Sequence, residues 1–389
     1  MNIRSRTANP ARQNRPYDRI AVIGGGAWGT ALAAVAATAG RDVTLYSRRD
    51  DVARAITHDH RNPAYLPDVA LPDSLKATSD LLQSLHGADA VMLVVPSRSM
   101  RSVAARIARH LAPGTPVAVC TKGIEPVTGL LMSQVAEEEM PGAVLGAISG
   151  PTFARETALG HPTAATVAFP FTHQDRLTPH ASPAARFALS LSTASFQTYI
   201  SDDLVGVEIG GAVKNVIAIA CGMMTGAGFA ENTRAALITR GMDEMKALAA
   251  ALGGRRETVT GLSGAGDLTL TCSSTTSRNM SLGVQLGKGI ARGECFEGRP
   301  VVVEGEANAT SVIDLAARVG VSMPICETVN AILNGDAPLI EAFRTLWTRP
   351  IEGEPQALDI SLANPVEAAL AVAPLSASSA TADPIPETS

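Results

Sequence analysis

The stretch from Arg19 to Ala39, RIAVIGGGAWGTALAAVAATA, limits what this chain can fold into more than any other part of it. A short apolar run, Ile20 to Ile23, leads directly into three glycines at the spacing G-x-G-x-x-G (Gly24, Gly26 and Gly29), and an alanine-rich, helix-favouring segment follows from Thr30 to Ala39. In a strand–turn–helix unit the first glycine permits the tight turn, the second lets backbone N–H groups approach a pyrophosphate, and the third lets the helix pack closely on the sheet. The helix N-terminus then offers unpaired N–H donors and partial positive charge to an anion. A strand-to-helix turn without a ligand can carry the same spacing. Context favours dinucleotide binding here: the motif leaves an apolar strand, opens a helix and precedes a second strand candidate, Asp42 to Tyr46.

At 389 residues the chain has room for two domains of ~100–200 residues each. Apolar residues make up 46% and aromatics only 4%, which suits closely packed helices better than an aromatic-rich sandwich. With 32 basic against 37 acidic residues, the net charge of −5 leaves no global basic field to recruit nucleic acid. The five cysteines are odd in number and scattered without a C-x-x-C pair, so neither a disulfide framework nor a metal site is indicated. Residues 1–18 lack the apolar core of a secretory leader, and no apolar run reaches the ~18 residues of a transmembrane segment. The expectation is a soluble, reduced, cytoplasmic protein.

Along the chain, residues 1–18 read as a disordered extension, 19–201 as a dinucleotide-binding domain, 202–352 as a helical substrate domain and 353–389 as a disordered tail. The second strand candidate ends in Ser47, Arg48 and Arg49, where an NAD-binding unit usually places an acidic residue against the ribose 2′-hydroxyl. Arginines there suit a 2′-phosphate and hence NADP; a solvated surface pair is the alternative. Asn62 to Pro67 (NPAYLP) reads as an ordered loop bracketed by prolines. Further strands are expected at Ala90 to Val95, Val117 to Cys120 and Val144 to Ile148. The second of these ends in Lys122, placed for an anionic ligand or merely exposed at a strand end; the third ends in Gly150, Thr152 and Ala154. Beyond Ser201 strand–helix alternation gives way to long helical patterns: Leu204 to Met224, Asn232 to Leu252, Ser277 to Gly287 and three more after Val301, with a loop at Gly261 to Asp267. Lys214 lies inside the apolar helix Leu204 to Met224, so it has either a partner, with Glu208 a candidate, or a task.

Ten motifs, in order between residues 19 and 350, resemble the bacterial-type NAD(P)-dependent glycerol-3-phosphate dehydrogenases. They are GGGAWGTALA, NPAYLP, VPS, TKGIE, SGPTFARE, GVEIGGAVKNVIAIACG, ENTRAALITRG, GLSGAGDLTLTC, SRN and VEG. The resemblance implies a Rossmann-like α/β N-terminal domain, an all-α C-terminal domain, and interconversion of dihydroxyacetone phosphate and sn-glycerol 3-phosphate with NADP or NAD, in the service of phospholipid synthesis. It implies Lys214 as proton acceptor, with Lys122, Gly150, Thr152, Asp267, Ser277, Arg278 and Asn279 on the substrate. On the cofactor it implies Ala27, Trp28, Arg48, Lys122, Ala154, Arg278, Val302 and Glu304, joined by the motif glycines and Arg49. Position 27, often serine in that family, is alanine here. A homodimer is the expected assembly, and no metal is required.

The chemistry suits these residues. Reducing a ketone leaves an alkoxide that must gain a proton, and a lysine whose pKa is lowered by burial and nearby positive charge can supply it. Ser277, Arg278 and Asn279 open a helix, so side chains and backbone N–H groups can converge on one phosphate. Asp267 would bind a hydroxyl or orient Lys214, or else simply cap a helix. Two other readings stand beside this one. A β-hydroxyacid dehydrogenase would need a carboxylate-binding group in place of Ser-Arg-Asn, and a nucleotide sensor without turnover would need no polar cluster around Lys214.

Overall fold

The strands expected from the apolar runs lie in one eight-stranded sheet, which also takes in the unforeseen strand Lys76–Thr78, in a computed structural model that describes residues 15–354, 358 and 360–366. The eight strands are β1 (Arg19–Ile23), β2 (Asp42–Tyr46), β3 (Lys76–Thr78), β4 (Ala90–Leu93), β5 (Pro116–Val119), β6 (Val144–Ser149), β7 (Thr163–Ala168) and β8 (Phe196–Ser201). Their order is β3-β2-β1-β4-β5-β6-β7-β8. All neighbours pair in parallel except β6 with β7. Every residue of β4 and β5 is buried, as parallel strands covered on both faces must be. The two-residue alternation sends Leu45 into one layer with Leu32 and Ile56, and Tyr46 into the other with Leu81 and Met100. Because the chain crosses the sheet between β3 and β4, strand order reverses around β1, and a crevice opens outside the carboxyl ends of β1 and β4.

The helical region is built around Leu204–Gly226, which Asp203 caps by accepting the Gly206 N–H at 2.9 Å. Helices Glu231–Ala251, Asp267–Cys272, Arg278–Gly287, Glu304–Arg318 and Pro324–Asn334 pack around it. Among the described residues it is the one helix long and apolar enough to cross a bilayer, yet 89% of its apolar window is buried by protein. A helix apolar on all sides and enclosed by neighbours is a core helix. It approaches Arg278–Gly287 at backbone distance: a Cβ on Gly222 would sit 2.3 Å from the Met280 carbonyl. Glu208 joins the helix to the sheet unit, accepting the backbone N–H of Ser133 at 2.9 Å and its hydroxyl as well.

Three expectations need correcting. Tyr17 is not part of a disordered extension: it is 3% exposed, its N–H donates to Ser190 Oγ at 2.7 Å, and its ring packs edge-on against Phe187. Order also reaches past residue 353, where Ile351–Glu352 pairs antiparallel with Ser361–Leu362. The segment Gly261 to Asp267 is helical rather than a loop, running through the turn Leu262–Gly266 into the helix that Asp267 opens. The expected disorder of residues 1–14 and 367–389 lies outside the described residues.

Candidate active site

The glycine motif occupies the switch-point crevice, and backbone crowds its first and third glycines. Gly24 has φ +132°, and a Cβ there would lie 2.1 Å from the Val94 carbonyl; at Gly29 a Cβ would lie 1.9 Å from the Gly24 carbonyl. Around Gly26 nothing lies within 4 Å of a Cβ position. The second glycine therefore faces open space at the N-terminus of helix Ala27–Thr38, whose first turn receives no side-chain cap. Open space beside free N–H donors fits a pyrophosphate, so these residues fit the cofactor that the motif implies.

Asn62, which the motif reading passed over, clamps this loop. It is fully buried, its Nδ2 donates to the Gly25 carbonyl at 3.1 Å and to Thr30 Oγ1 at 2.8 Å, and its Oδ1 accepts the Tyr65 N–H at 3.3 Å. Its only sequence signal was its place at the head of NPAYLP. Of the other cofactor candidates, Ala27 and Trp28 form the first turn of the helix, with Trp28 Nε1 buried and unpartnered. Arg48 is exposed at the end of β2. Arg49 is turned onto Asp51, its Nε donating to Oδ1 at 3.1 Å and its Nη2 to Oδ2, so its charge is already matched. Ala154 opens the helix Ala154–Ala158, and Val302 is 47% exposed.

The second cluster lies on the helix Leu204–Gly226. Lys214, 6% exposed, donates to Asp267 Oδ1 at 2.5 Å and to Thr271 Oγ1 at 2.7 Å. Lys122 reaches across from the end of β5 and donates to Asp267 Oδ2 at 2.6 Å. It can cross because residue 211 is glycine: a Cβ there would meet Lys122 Cγ at 3.2 Å and Ser149 Oγ at 3.1 Å. Asp267 is the first residue of its helix and spends both oxygens on lysines, so it is no N-cap. Glu208 bonds Ser133, so the pairing of Lys214 with Glu208 does not form. Thr271, not foreseen in the sequence, follows Asp267 by one helical turn, the i,i+4 spacing that places both on one face.

Burial drives the Lys214 ammonium down, Asp267 pulls it back up and Lys122 pushes it down again, leaving it at about 8. Burial works to raise the Asp267 carboxyl, but Lys122 and then Lys214 outweigh it and hold the group below the ordinary carboxylate value. An ammonium has three N–H donors. Lys214 commits two, leaving one for an oxygen outside the protein.

The next residue ties in the remaining candidates. Asn215 donates to Glu304 Oε2 at 3.3 Å, and its Oδ1 accepts from Asn279 Nδ2 at 2.9 Å, while Asn279 Oδ1 accepts the Gly305 N–H at 2.8 Å. Both ends of the Asn279 amide are thus engaged within the protein. Ser277 accepts the Met280 N–H at 3.3 Å as helix cap, which leaves its own O–H free to donate, and Arg278 is exposed beside it. Gly150 passes tightly against β7, where a Cβ would lie 2.8 Å from the Ala164 carbonyl, and the Thr152 hydroxyl donates to the Gly150 carbonyl at 3.2 Å. Ser149 Oγ and Ser263 Oγ are buried without partners.

A dinucleotide cradle on one side of the carboxyl edge of the sheet, and a buried ammonium poised near neutral pH on the other, define a nicotinamide-dependent oxidoreductase. The descriptions of one family span both halves: NAD-dependent glycerol-3-phosphate dehydrogenase N-terminus matches residues 19–175, and its C-terminus matches residues 203–344. The chain belongs to this family. It is 48% identical over 342 residues to the glycerol-3-phosphate dehydrogenase [NAD(P)+] of Rhodospirillum rubrum, covering 88% of this chain and 95% of that one. It is also 48% identical over 334 residues to that of Maricaulis maris, covering 86% and 97%. The crystal structure of the glycerol-3-phosphate dehydrogenase from Coxiella burnetii superimposes with a TM-score of 0.78 at 36% identity, over 86% of this chain and 99% of that chain. The β-hydroxyacid and non-catalytic alternatives give way to this membership.

Proposed function

We propose that the Lys214–Asp267–Lys122 cluster is where this chain carries out the reaction of its family. The chain interconverts dihydroxyacetone phosphate and sn-glycerol 3-phosphate with NAD(P)H, the usual role being supply of glycerol 3-phosphate for phospholipid synthesis. Lys214 carries the proton: its free N–H faces the carbonyl oxygen and delivers a proton as the alkoxide forms, and in the reverse direction the neutral amine removes it. Asp267 keeps the ammonium charged and aimed, Thr271 fixes its rotamer, and Lys122 adds positive charge for the developing oxyanion. When bound, the nicotinamide supplies or accepts the hydride. Gly24, Gly26, Ala27, Trp28 and Gly29 hold its pyrophosphate, and Arg48 takes the adenosine end. Ala154, Val302 and Glu304 would complete the cofactor contacts.

Ser277 and Arg278 bind the substrate phosphate, with Gly150 and Thr152 closing the pocket, while Asn279 acts by holding Asn215 and Gly305. Residues 19–201 serve as the cofactor unit and 202–352 as the substrate unit, in a cytoplasmic homodimer. The free state of all five cysteines supports that compartment.

The single observation carrying this reading is the Lys214 ammonium, buried, bonded to Asp267 and still one donor short. The decisive experiment is NADPH oxidation by dihydroxyacetone phosphate in the parent and in Lys214→Ala. General acid–base catalysis is worth ~10²–10⁴-fold, so kcat falls by that factor while the Kd for NADPH stays put. A kcat within a few-fold of the parent removes Lys214 from proton transfer.

A further inference from the structure

On the sheet face opposite the glycine-loop helix, a groove of about 580 Å³ runs between the helix Leu81–Leu85 and the helix Met100–Ala108. Its floor is Tyr46, 8% exposed, and its apolar wall is Leu82, 52% exposed. Its opposite wall carries Arg106, Arg109 and His110. Among the described residues, none of these three side chains makes an ion pair or hydrogen bond, although the chain as a whole is net acidic with many paired arginines. The one carboxylate in the lining, Asp80, is already directed to the Leu82 and Gln83 N–H groups as a helix cap, 2.8 and 3.3 Å away. Basic groups at a helix C-terminus favour its dipole whatever else they do. Here they also converge on a concavity with an aromatic floor and an exposed leucine, and its volume is that of a small-molecule site.

We propose that this groove is a second binding site, for a phosphate ester with an apolar body: the phosphate on Arg106 and Arg109, the body against Tyr46 and Leu82. Guanidinium groups suit phosphate because their planar fork gives paired, charge-assisted bonds. That chemistry is shared by a free alkyl phosphate and the headgroup of an anionic lipid.

The groove touches the cofactor segment from behind. Tyr46 immediately precedes Ser47 and Arg48, and its carbonyl accepts the Gly24 N–H at 3.1 Å. Ser79, also in the lining, donates to Asp50 Oδ1 at 2.9 Å, in the first turn of the helix that follows Arg49. Occupancy therefore bears on the backbone that presents Arg48, and the affinity for NADPH responds to it.

The test uses the full chain, titrated calorimetrically with n-octyl phosphate below its micelle concentration, with inorganic phosphate as the control that lacks the apolar body and phosphatidylglycerol vesicles as the lipid arm. Arg106→Ala/Arg109→Ala is compared with the parent, and both residues lie outside the lysine cluster and the glycine loop. Losing two charge-assisted contacts weakens binding by roughly tenfold or more. The expected result is saturable n-octyl phosphate binding that weakens by that factor in the double variant, unchanged kcat, and a KM for NADPH that shifts with n-octyl phosphate only in the parent. Vesicle binding lost in the double variant, without binding of the free ester, supports the site and assigns it to a lipid headgroup. Equal binding by parent and double variant in every arm overturns the site. Binding lost in the double variant, with the KM for NADPH indifferent to the ester in the parent, overturns the link to the cofactor.

Discussion

Replacing Asp267 by asparagine keeps the shape of the side chain and removes one charge from between two ammonium groups. In the parent each Asp267 oxygen takes one lysine, at 2.5 Å from Lys214 and 2.6 Å from Lys122, and the site is nearly closed to solvent. Unit charges with centres ~4 Å apart interact by ~4 kcal/mol at an effective dielectric of ~20. At ~1.36 kcal/mol per pKa unit this is ~3 units, and some relaxation of the freed lysines brings the expected shift to ~2–3 units. Lys214, at about 8 in the parent, then titrates near ~5–6. Reduction of the ketone needs the ammonium, so the parent kcat holds below about 8 and falls above it, while the reverse reaction gains as the amine forms. In Asp267→Asn the fall moves to lower pH, and at about pH 7.5 the ammonium fraction drops by roughly 25- to 250-fold. The assay is the pH profile of kcat for NADPH oxidation by dihydroxyacetone phosphate, with circular dichroism melts and NADPH affinity as controls for folding and cofactor binding. A lowered kcat with an unmoved profile would refute the electrostatic account and leave Asp267 as a substrate contact alone.

Other consequences follow from packing and charge elsewhere. Gly29→Ala forces a methyl group to within 1.9 Å of the Gly24 carbonyl, so thermal melts should show a loss of ~1–3 kcal/mol together with weakened NADPH binding. Gly26→Ala meets nothing within 4 Å and should weaken NADPH at an unchanged Tm; a falling Tm there means the loop is tighter than its geometry implies. Burial raises the Glu208 carboxyl to about 7, against the lowering effect of Ser133. With the folded pKa above the unfolded one, the stability this group contributes is complete below the unfolded value of 4.5 and lost as pH rises through about 7. Glu208→Gln, which cannot ionise, should therefore gain Tm relative to the parent between about pH 5 and about pH 8, and a constant difference denies the titration. For Arg48→Asp, the ratio of kcat/KM for NADPH over NADH should fall by roughly 10- to 100-fold, the worth of one charge-assisted bond. A ratio that does not move makes Arg48 a solvated surface residue.

Local sequence determined what local physics governs. The apolar run before Gly24, the turn and the alanine-rich helix after it are a contiguous unit whose backbone needs only its own residues to be specified, and the structure keeps it, with the helix starting three residues earlier, at Ala27. The same holds for the helix Pro183–Leu191, where Ser182 as cap and proline at the first position set the start. Glu208 and Lys214 were both legible as ionisable groups in an apolar helix, because burying either one alone is costly. Their partners were not legible. Glu208 finds Ser133, 75 residues away in sequence, and Lys214 finds Asp267 and Thr271 at separations of 53 and 57. Likewise Asn62 meets the glycine loop across 37 residues and Asn215 meets Asn279 across 64. Hydrogen bonds and ion pairs act over a few ångströms, so which groups share one site is decided by how β5, β6 and the central helix are brought together. Tertiary structure likewise turned the Gly261–Asp267 segment into a helical turn, since it packs on the central helix at Gly210, where a Cβ would lie 2.7 Å from the Ser263 carbonyl. The chain itself named the groups that could do chemistry, and only packing at long sequence separation chose which of them meet.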